Sequence, residues 1–339
     1  MSVRPATLAD VAARAGVSLA TASRAMRSGH PMAAPTRRRV LDAARDLGYR
    51  PHRIRRRSGI VSILASVPGH MVMPPLLTSL QEATAEDQIA TAVTTTGGDL
   101  ALECRTLGQL ADDPRVQGVV VVGGAYLVPH WTDRVGRAVV RLLSRNIPVV
   151  FCGRGGGDLG IPGVRVVDYD HDGGAASAVA HLAGLGHRTV GLIRGPEGFT
   201  TSDRRAAGFQ GAVQRRGLDD DPGLRMTGVR SAEFAADATR ELLLRRPDVT
   251  ALFCESDAMA MGAMRAAHDL GRRLPEDLSV VGFDNMYGVA NLIPPLTTVE
   301  VPSSRLGAHT AEVVLASEDP GPVMVPTRLV VRNSVAPAT

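Results

Sequence analysis

Two hydrophobic periodicities divide this 339-residue chain. In the first fifty residues the apolar side chains are small and recur at helical spacing, with Leu8, Val11, Ala12 and Ala15 forming one narrow stripe. Thr7 and Asp10 stand at N-cap and N3 spacing, a capping box with Asp in place of Glu or Gln, which predicts a helix from Leu8. Gly16 ends it, because glycine takes a left-handed cap without steric cost. Ser18 caps a second helix, whose Ala20, Ala22 and Ala25 let it lie close to a neighbouring helix or a groove wall. A third helix over roughly residues 34–47 is led by Pro35 and ended by Gly48. Ala33 stands where a capping side chain would contribute about 1 kcal/mol.

From residue 60 the pattern changes. Short β-branched runs at 60–66, 118–124, 147–153, 189–195, 249–255 and 278–284 alternate with segments rich in Ala and Leu. Unbroken rather than alternating apolar character means strands buried on both faces. The predicted body is therefore α/β, with two doubly wound parallel-sheet lobes flanked by helices. Ligands of such sheets bind outside the carboxyl ends of the strands, here in the cleft between the lobes.

Charge sharpens the division. Residues 1–57 hold 13 Arg against three acids, whereas the remaining 282 residues hold 25 Arg against 31 acids. A basic head on an acidic body suits a protein that grips phosphates at one end. The alternative for the head, an ordinary alanine-rich helical hairpin, does not account for that polarity. The chain has no lysine, so every basic contact falls to Arg. No apolar run approaches the ~20 residues of a membrane span, and no signal-peptide pattern opens the chain, so a cytoplasmic protein is expected. Cys104, Cys152 and Cys254 are scattered and read as reduced thiols. No metal site and no cofactor is expected.

The run from Thr7 to Pro51, with TLADVAARAGVS, TASR and TRRRVLDAARDLGYRP, resembles the N-terminal signature of the LacI/GalR family of bacterial transcription regulators. GLGHRTVGLIRGP (184–196), RRAAGF (204–209), SDAMAMGAMRA (256–266), LPEDLSVVGFDN (274–285) and PPLTTV (294–299) continue the resemblance in the order that family shows. It implies a helix-turn-helix DNA-binding domain at 1–50, a hinge at 51–59 and a periplasmic-binding-protein-like effector and dimerisation domain at 60–339. The N-terminal lobe would take about 60–167 and 302–326, and the C-terminal lobe about 168–301 and 327–339, with crossings near Asp168, Val301 and Thr327.

Residue by residue, the resemblance places Leu19, Ala20 and Arg24 of the recognition helix at base edges, Arg24 being suited to bidentate contact with guanine. Thr7, Ser18, Thr21 and Ser23 fall in the DNA-contacting set, Thr21 and Ser23 at positions that bond phosphates. Tyr49 packs the head and touches backbone. The hinge departs from the family: it is about three residues short, with Arg55 at an alanine position and Ser58 where a leucine usually wedges the minor groove. Ile54 is its one bulky apolar side chain, and Arg53, Arg55 and Arg56 favour phosphates.

For the effector, the resemblance points to Arg205 and Asp284, with Ser256 where many members have Asn and Gly153 where many have Asp. Phe199, Tyr126 and Trp131 are the rings expected near the cleft. The bland alternatives are an ion pair of Arg205 with Asp203 or another acid, and a loop cap for Asp284. The expected function is a DNA-binding regulator, in all expectation a repressor, acting as a homodimer on a pseudo-palindromic operator and modulated by a small molecule, commonly a carbohydrate in this family. The alternatives are a solute-binding protein with no DNA role and a regulator that has lost effector response. No GxSxG, HExxH or P-loop is present, so no enzyme is expected.

Overall fold

The computed structural model describes residues 8–18, 21–22, 25, 33–47, 59–65, 73–85, 87–126, 129–155, 157 and 159–338. The chain divides into two compact units, residues 1–57 with 316–319 and residues 58–315 with 320–339.

In the first unit, helix α1 (Leu8–Ala15) starts where the capping pattern places it. Gly16 takes φ +64°, and the N–H groups of Gly16 and Val17 close back on the carbonyls of Ala13 and Ala12. The Ser18 hydroxyl accepts from Thr21 N at 3.1 Å, which is the predicted cap of the second helix. Helix α2 (Ala34–Asp46) follows. Val11, Ala12 and Ala15 of α1, Ala22 and Ala25, and Val40, Ala43 and Ala44 of α2 form one small buried core. Alanine dominates it because the helices approach closely, and Arg38 and Arg39 lie on the exposed side of α2.

The second unit contains two six-stranded sheets. The first sheet comprises β1 (Ile60–Ala65), β2 (Ala90–Thr95), β3 (Val116–Val122), β4 (Val149–Cys152), β5 (Arg165–Tyr169) and β11 (Val323–Val325). Its order is β11-β5-β4-β3-β1-β2 and every pairing is parallel. The helices α3 (Met73–Ala85), α4 (Leu100–Asp112) and α5 (Pro129–Ser144) connect its strands. The second sheet comprises β6 (Val190–Arg194), β7 (Arg225–Thr227), β8 (Ala251–Cys254), β9 (Ser279–Asp284), β10 (Thr297–Glu300) and β12 (Arg328–Val330). It is ordered β12-β10-β9-β8-β6-β7 and only β12 runs antiparallel. Its helices are α6 (His171–Gly184), α7 (Thr200–Arg216), α8 (Ala232–Arg245) and α9 (Asp257–Asp269), and α10 (Ser303–Leu315) returns the chain to the first sheet. The chain thus passes between the sheets after Tyr169, after Glu300 and after Val325.

All six apolar runs read from the sequence form strands buried on both faces. β2 is an edge strand with a largely exposed face, and β7, β11 and β12 span three residues each, too short to show a period. Three glycines set the closest helix crossings. A Cβ on Gly208 would stand 2.2 Å from the Asp172 carbonyl, one on Gly262 2.0 Å from that of Ala232, and one on Gly307 2.2 Å from that of Leu76. Cys152 and Cys254 are buried and Cys104 half-buried, all three as free thiols, and burial pushes the Cys152 thiol up to about 12. Among the described residues no helix is long and apolar enough to cross a membrane, and no cluster fit for a metal is present.

Candidate functional site

The carboxyl ends of both sheets face a common cleft, and its walls come from the loops and helix starts that follow each strand. β9 ends in Asp284, whose φ of +112° is followed by Asn285 at +54°. This uncommon backbone is held by three side chains on two neighbouring segments, β10 and the chain after β12. Asn285 N donates to Thr298 Oγ1 at 3.4 Å, Asn285 Nδ2 to Glu300 Oε1 at 3.2 Å, and Arg332 Nη2 to Asn285 Oδ1 at 2.7 Å. The turn aims the Asp284 carboxylate toward Arg205 of α7.

Arg205 is the centre of the site. Its Nη2 donates to Asp284 Oδ1 and to the Tyr169 hydroxyl, both at 2.9 Å, and its Nη1 donates to the Glu255 carbonyl. Its guanidinium lies 3.8 Å above the Phe283 ring. Both members of the Arg205–Asp284 pair are buried, with side chains only 2% and 4% exposed. Burial works against the guanidinium charge, but Asp284, Tyr169 and Glu255 outweigh it and hold Arg205 firmly protonated. Burial lifts the Tyr169 phenol to about 12, so it stays a neutral hydroxyl. Of the alternative expected for Arg205, an ion pair with Asp203 or another acid, Asp203 instead bonds Arg194 at 2.6 Å, and the acid that pairs with Arg205 is Asp284.

Behind this pair lies a second one. Arg230 Nη2 meets Glu255 Oε1 at 2.6 Å and also donates to Thr201 Oγ1 and Ser202 Oγ, each at 3.0 Å. Ser202 Oγ donates to the same Glu255 oxygen at 2.6 Å. Burial favours the neutral acid, yet the charges of Arg230 and Arg205 with the Ser202 bond hold the Glu255 carboxyl below its usual range. Asp257, at the start of α9, is in the opposite case: burial and the nearby Asp284 charge push it up to about 7, against bonds from Thr298 and Met286 N.

The two lobes meet directly at the start of α7. Thr200 N donates to the Ala125 carbonyl at 2.9 Å, Ala125 N to Thr200 Oγ1 at 3.1 Å, and Thr200 Oγ1 to the Arg154 carbonyl. Tyr126 and Phe199 form an antiparallel bridge, their rings edge to face at 5.1 Å. Gly155 at φ +73° lets its loop approach Thr200 and Thr201, where a Cβ would sit 3.1 Å from the Thr201 Cα. The cavity left between the lobes, lined by Arg205, Arg230, Asp284, Tyr169, Thr201 and Met73 among others, is about 40 Å³. That is well below the roughly 300–1,000 Å³ of an ordinary ligand pocket. A larger depression of about 240 Å³ lies on α7 beside Arg194 and Arg225, away from these groups.

The structure thus brings Arg205 and Asp284 together at the cavity, whereas Phe199 and Tyr126 pack on each other where the lobes meet and are not among the residues that line it, Tyr126 being 44% exposed. Ser256 lies elsewhere: its hydroxyl accepts from Met259 N at 3.3 Å and caps α9. Gly153 has φ +62° and a Cβ there would stand 3.2 Å from the Tyr169 ring, so the tyrosine takes the space a side chain would need. Tyr169, Arg230 and Glu255 were missed from sequence, for they come from three separate segments and carry no motif. In the head, Ser18 and Thr21 adjoin at the start of the second helix, their hydroxyls 2.8 Å apart. The other expected DNA-contacting residues, Thr7, Leu19, Ala20, Ser23, Arg24, Tyr49, Arg53, Ile54, Arg55 and Arg56, lie outside the described residues, as does Ser58; so does the Trp131 side chain.

Comparison with known proteins shows the family. Residues 7–52 match the model of bacterial regulatory proteins of the lacI family, and residues 179–335 that of a periplasmic binding protein-like domain. The transcriptional regulator MalR of Streptomyces coelicolor is 35% identical over 98% of this chain and 97% of its own length. The chain belongs to the LacI family. Among other LacI-family relatives, the repressor CytR of Escherichia coli is 31% identical over 91% of this chain and 89% of its own. A solved complex of the regulator CelR with cellobiose superposes with a TM-score of 0.71 at 30% identity, covering 97% of this chain and 99% of that one. The lac repressor dimer bound to operator and the anti-inducer ONPF gives 0.68 at 26%, covering 98% and 100%. As a LacI-family member the chain is a helix-turn-helix transcriptional regulator, not an enzyme.

Proposed function

We propose that this protein is a cytoplasmic repressor that binds a pseudo-palindromic operator as a homodimer and is controlled by a small carbohydrate in the cleft between its two sheets. The division is a DNA-reading head at 1–50, a hinge at 51–59 and an effector and dimerisation body at 60–339. One head reads one half-site, so twofold symmetry of the protein matches that of the operator. Arg24 reads a guanine, Leu19 and Ala20 offer apolar contact, and Thr21 and Ser23 fix the helix on phosphates, with Ser18 capping it among the DNA-contacting residues. On the DNA, the protein is associated with the nucleoid.

The observation that carries the effector reading is the buried Arg205–Asp284 pair at the cavity of an interlobe cleft. A guanidinium and a carboxylate side by side offer donors and acceptors to hydroxyl groups, and the charges cancel, which suits a neutral polyol. CelR was solved with cellobiose and a LacI-family regulator from Enterococcus faecium with ribose, and both carry the same two-lobe plan. An effector that binds one lobe arrangement better than the other shifts the population competent to hold both half-sites.

The test is selection of operator from random duplex DNA with the full-length protein, followed by fluorescence anisotropy with and without cellobiose, maltose or ribose. A palindromic consensus whose affinity moves at least about fivefold with one sugar is expected, the lower end of ordinary allosteric coupling. Failure to enrich a palindrome would overturn the operator reading, and indifference to all three sugars the carbohydrate reading.

A further inference from the structure

Outside the cleft, the second sheet carries a groove beside its edge strand β7. Asp203, Ala206, Ala207 and Gln210 stand at i, i+3, i+4 and i+7, so they share one face of α7 and form one wall. On the sheet, Leu192 of β6 is in parallel register with Arg225 of β7, and Arg194 stands two residues further along β6 on the same face. The methyl groups of Ala206 and Ala207 fill little of the space over Leu192, and a groove of about 240 Å³ is left. Its polar groups fall into two clusters. Arg194 Nη2 donates to Asp203 Oδ1 at 2.6 Å, and Gly198 N donates to the same oxygen at 3.3 Å. Arg225 Nη2 and Gln210 Nε2 both donate to Asp220 Oδ1. The side chains of Asp203 and Arg225 are 40% and 32% exposed, and each bonds its partners through one terminal atom, Oδ1 and Nη2. Ion pairs this exposed contribute little to stability, so a ligand can share them at low cost.

We infer that this groove is a second ligand site, and that it takes a free α-amino acid with an apolar side chain. The ligand carboxylate accepts from Arg225, its ammonium donates to Asp203, and its side chain lies on Leu192, Ala206 and Ala207. An apolar surface with a few polar groups that fix orientation is the ordinary form of a small-molecule site. The charges select a zwitterion. A simple anion meets Asp203 and Asp220, a simple cation meets the two guanidiniums, and a polyol sets hydroxyls against an apolar floor. A zwitterion meets one charge of each sign and leaves the local balance unchanged. The groove shares no lining residue with the cavity between the lobes. It bears on their contact all the same, because Asp203 also holds Gly198, two residues before Thr200, whose bonds to Ala125 and Arg154 join the lobes.

The test is isothermal titration of the full-length protein with L-leucine, L-valine, L-methionine and L-phenylalanine. The tightest of them is then compared with its N-acetyl and amide derivatives, which remove the ammonium and the carboxylate in turn. At least one amino acid is expected to bind, and each derivative to bind roughly ten- to a hundredfold more weakly, the range of a charge-assisted hydrogen bond. Arg225→Gln should weaken binding over the same range, and Ala207→Leu, at an exposed helix position, should abolish it by filling the groove. No binding of any of the four amino acids overturns the inference. Binding that survives either variant unchanged overturns it too, because the ligand then lies elsewhere. A derivative that binds as well as its parent overturns the zwitterion. Circular dichroism reports whether each variant folds, and the derivatives decide the matter on the wild type if Arg225→Gln does not.

Discussion

Replacing Arg205 with methionine keeps much of the side-chain volume and removes the guanidinium. The Asp284 carboxylate, 4% exposed, is then left without its partner, and the Glu255 carbonyl and Tyr169 hydroxyl lose a donor. For charge centres about 4 Å apart at an effective dielectric of about 20, the lost attraction is on the order of 4 kcal/mol. Breaking a buried pair from one side costs about 3–5 kcal/mol, because the remaining charge stays desolvated. For a domain of this size that corresponds to a fall in Tm of roughly 6–15 °C. Removing both charges, as Arg205→Met with Asp284→Leu, should recover most of the loss, since an apolar pair carries no uncompensated charge. Differential scanning calorimetry of the wild type, both single variants and the double variant closes the cycle. Arg205→Met within about 1 kcal/mol of wild type, or a double variant as unstable as the sum of the singles, would refute a desolvated Asp284 charge as the source of the loss.

Asp257 is raised to about 7, so the folded state holds its proton over a range in which the unfolded chain, at 3.8, has released it. Its contribution to stability is therefore full below about pH 4 and is lost as pH rises toward 7, a change on the order of a few kcal/mol. Asp257→Asn should accordingly gain on the wild type between those limits, and parallel urea titrations at several pH values that show no such gain refute it. Gly262→Ala puts a methyl group 2.0 Å from the Ala232 carbonyl and should lower stability by about 1–3 kcal/mol, read as a shift in denaturation midpoint. Arg24→Ala should weaken operator binding by about 1–3 kcal/mol and relax preference at one base pair, which a panel of single-base operator variants measures. Uniform weakening across that panel would reassign Arg24 to a phosphate.

Much of this protein was legible in its sequence because the features concerned are local. A cap, a glycine at φ +64° and a four-residue apolar stripe place α1, since helix ends are satisfied by neighbours in the chain. Six apolar runs mark six of the buried strands because burial on both faces demands unbroken apolarity. The order of motifs from Thr7 to Val299 fixes family and class. Arg205 and Asp284 were also visible, each at its motif.

Tertiary structure alone decided what those two do. They lie 79 positions apart, and only the crossing of α7 with the end of β9 makes them a pair at 2.9 Å. Likewise Ser256 and Gly153 look like weakened ligand anchors until the cap of α9 and the Tyr169 ring give each another role. Arg230 and Glu255 have no sequence signal, because a single ion pair between an irregular loop and a strand end has neither period nor spacing. Charge pairing in a desolvated cleft is a property of distance through space, and the chain encodes that distance only by folding.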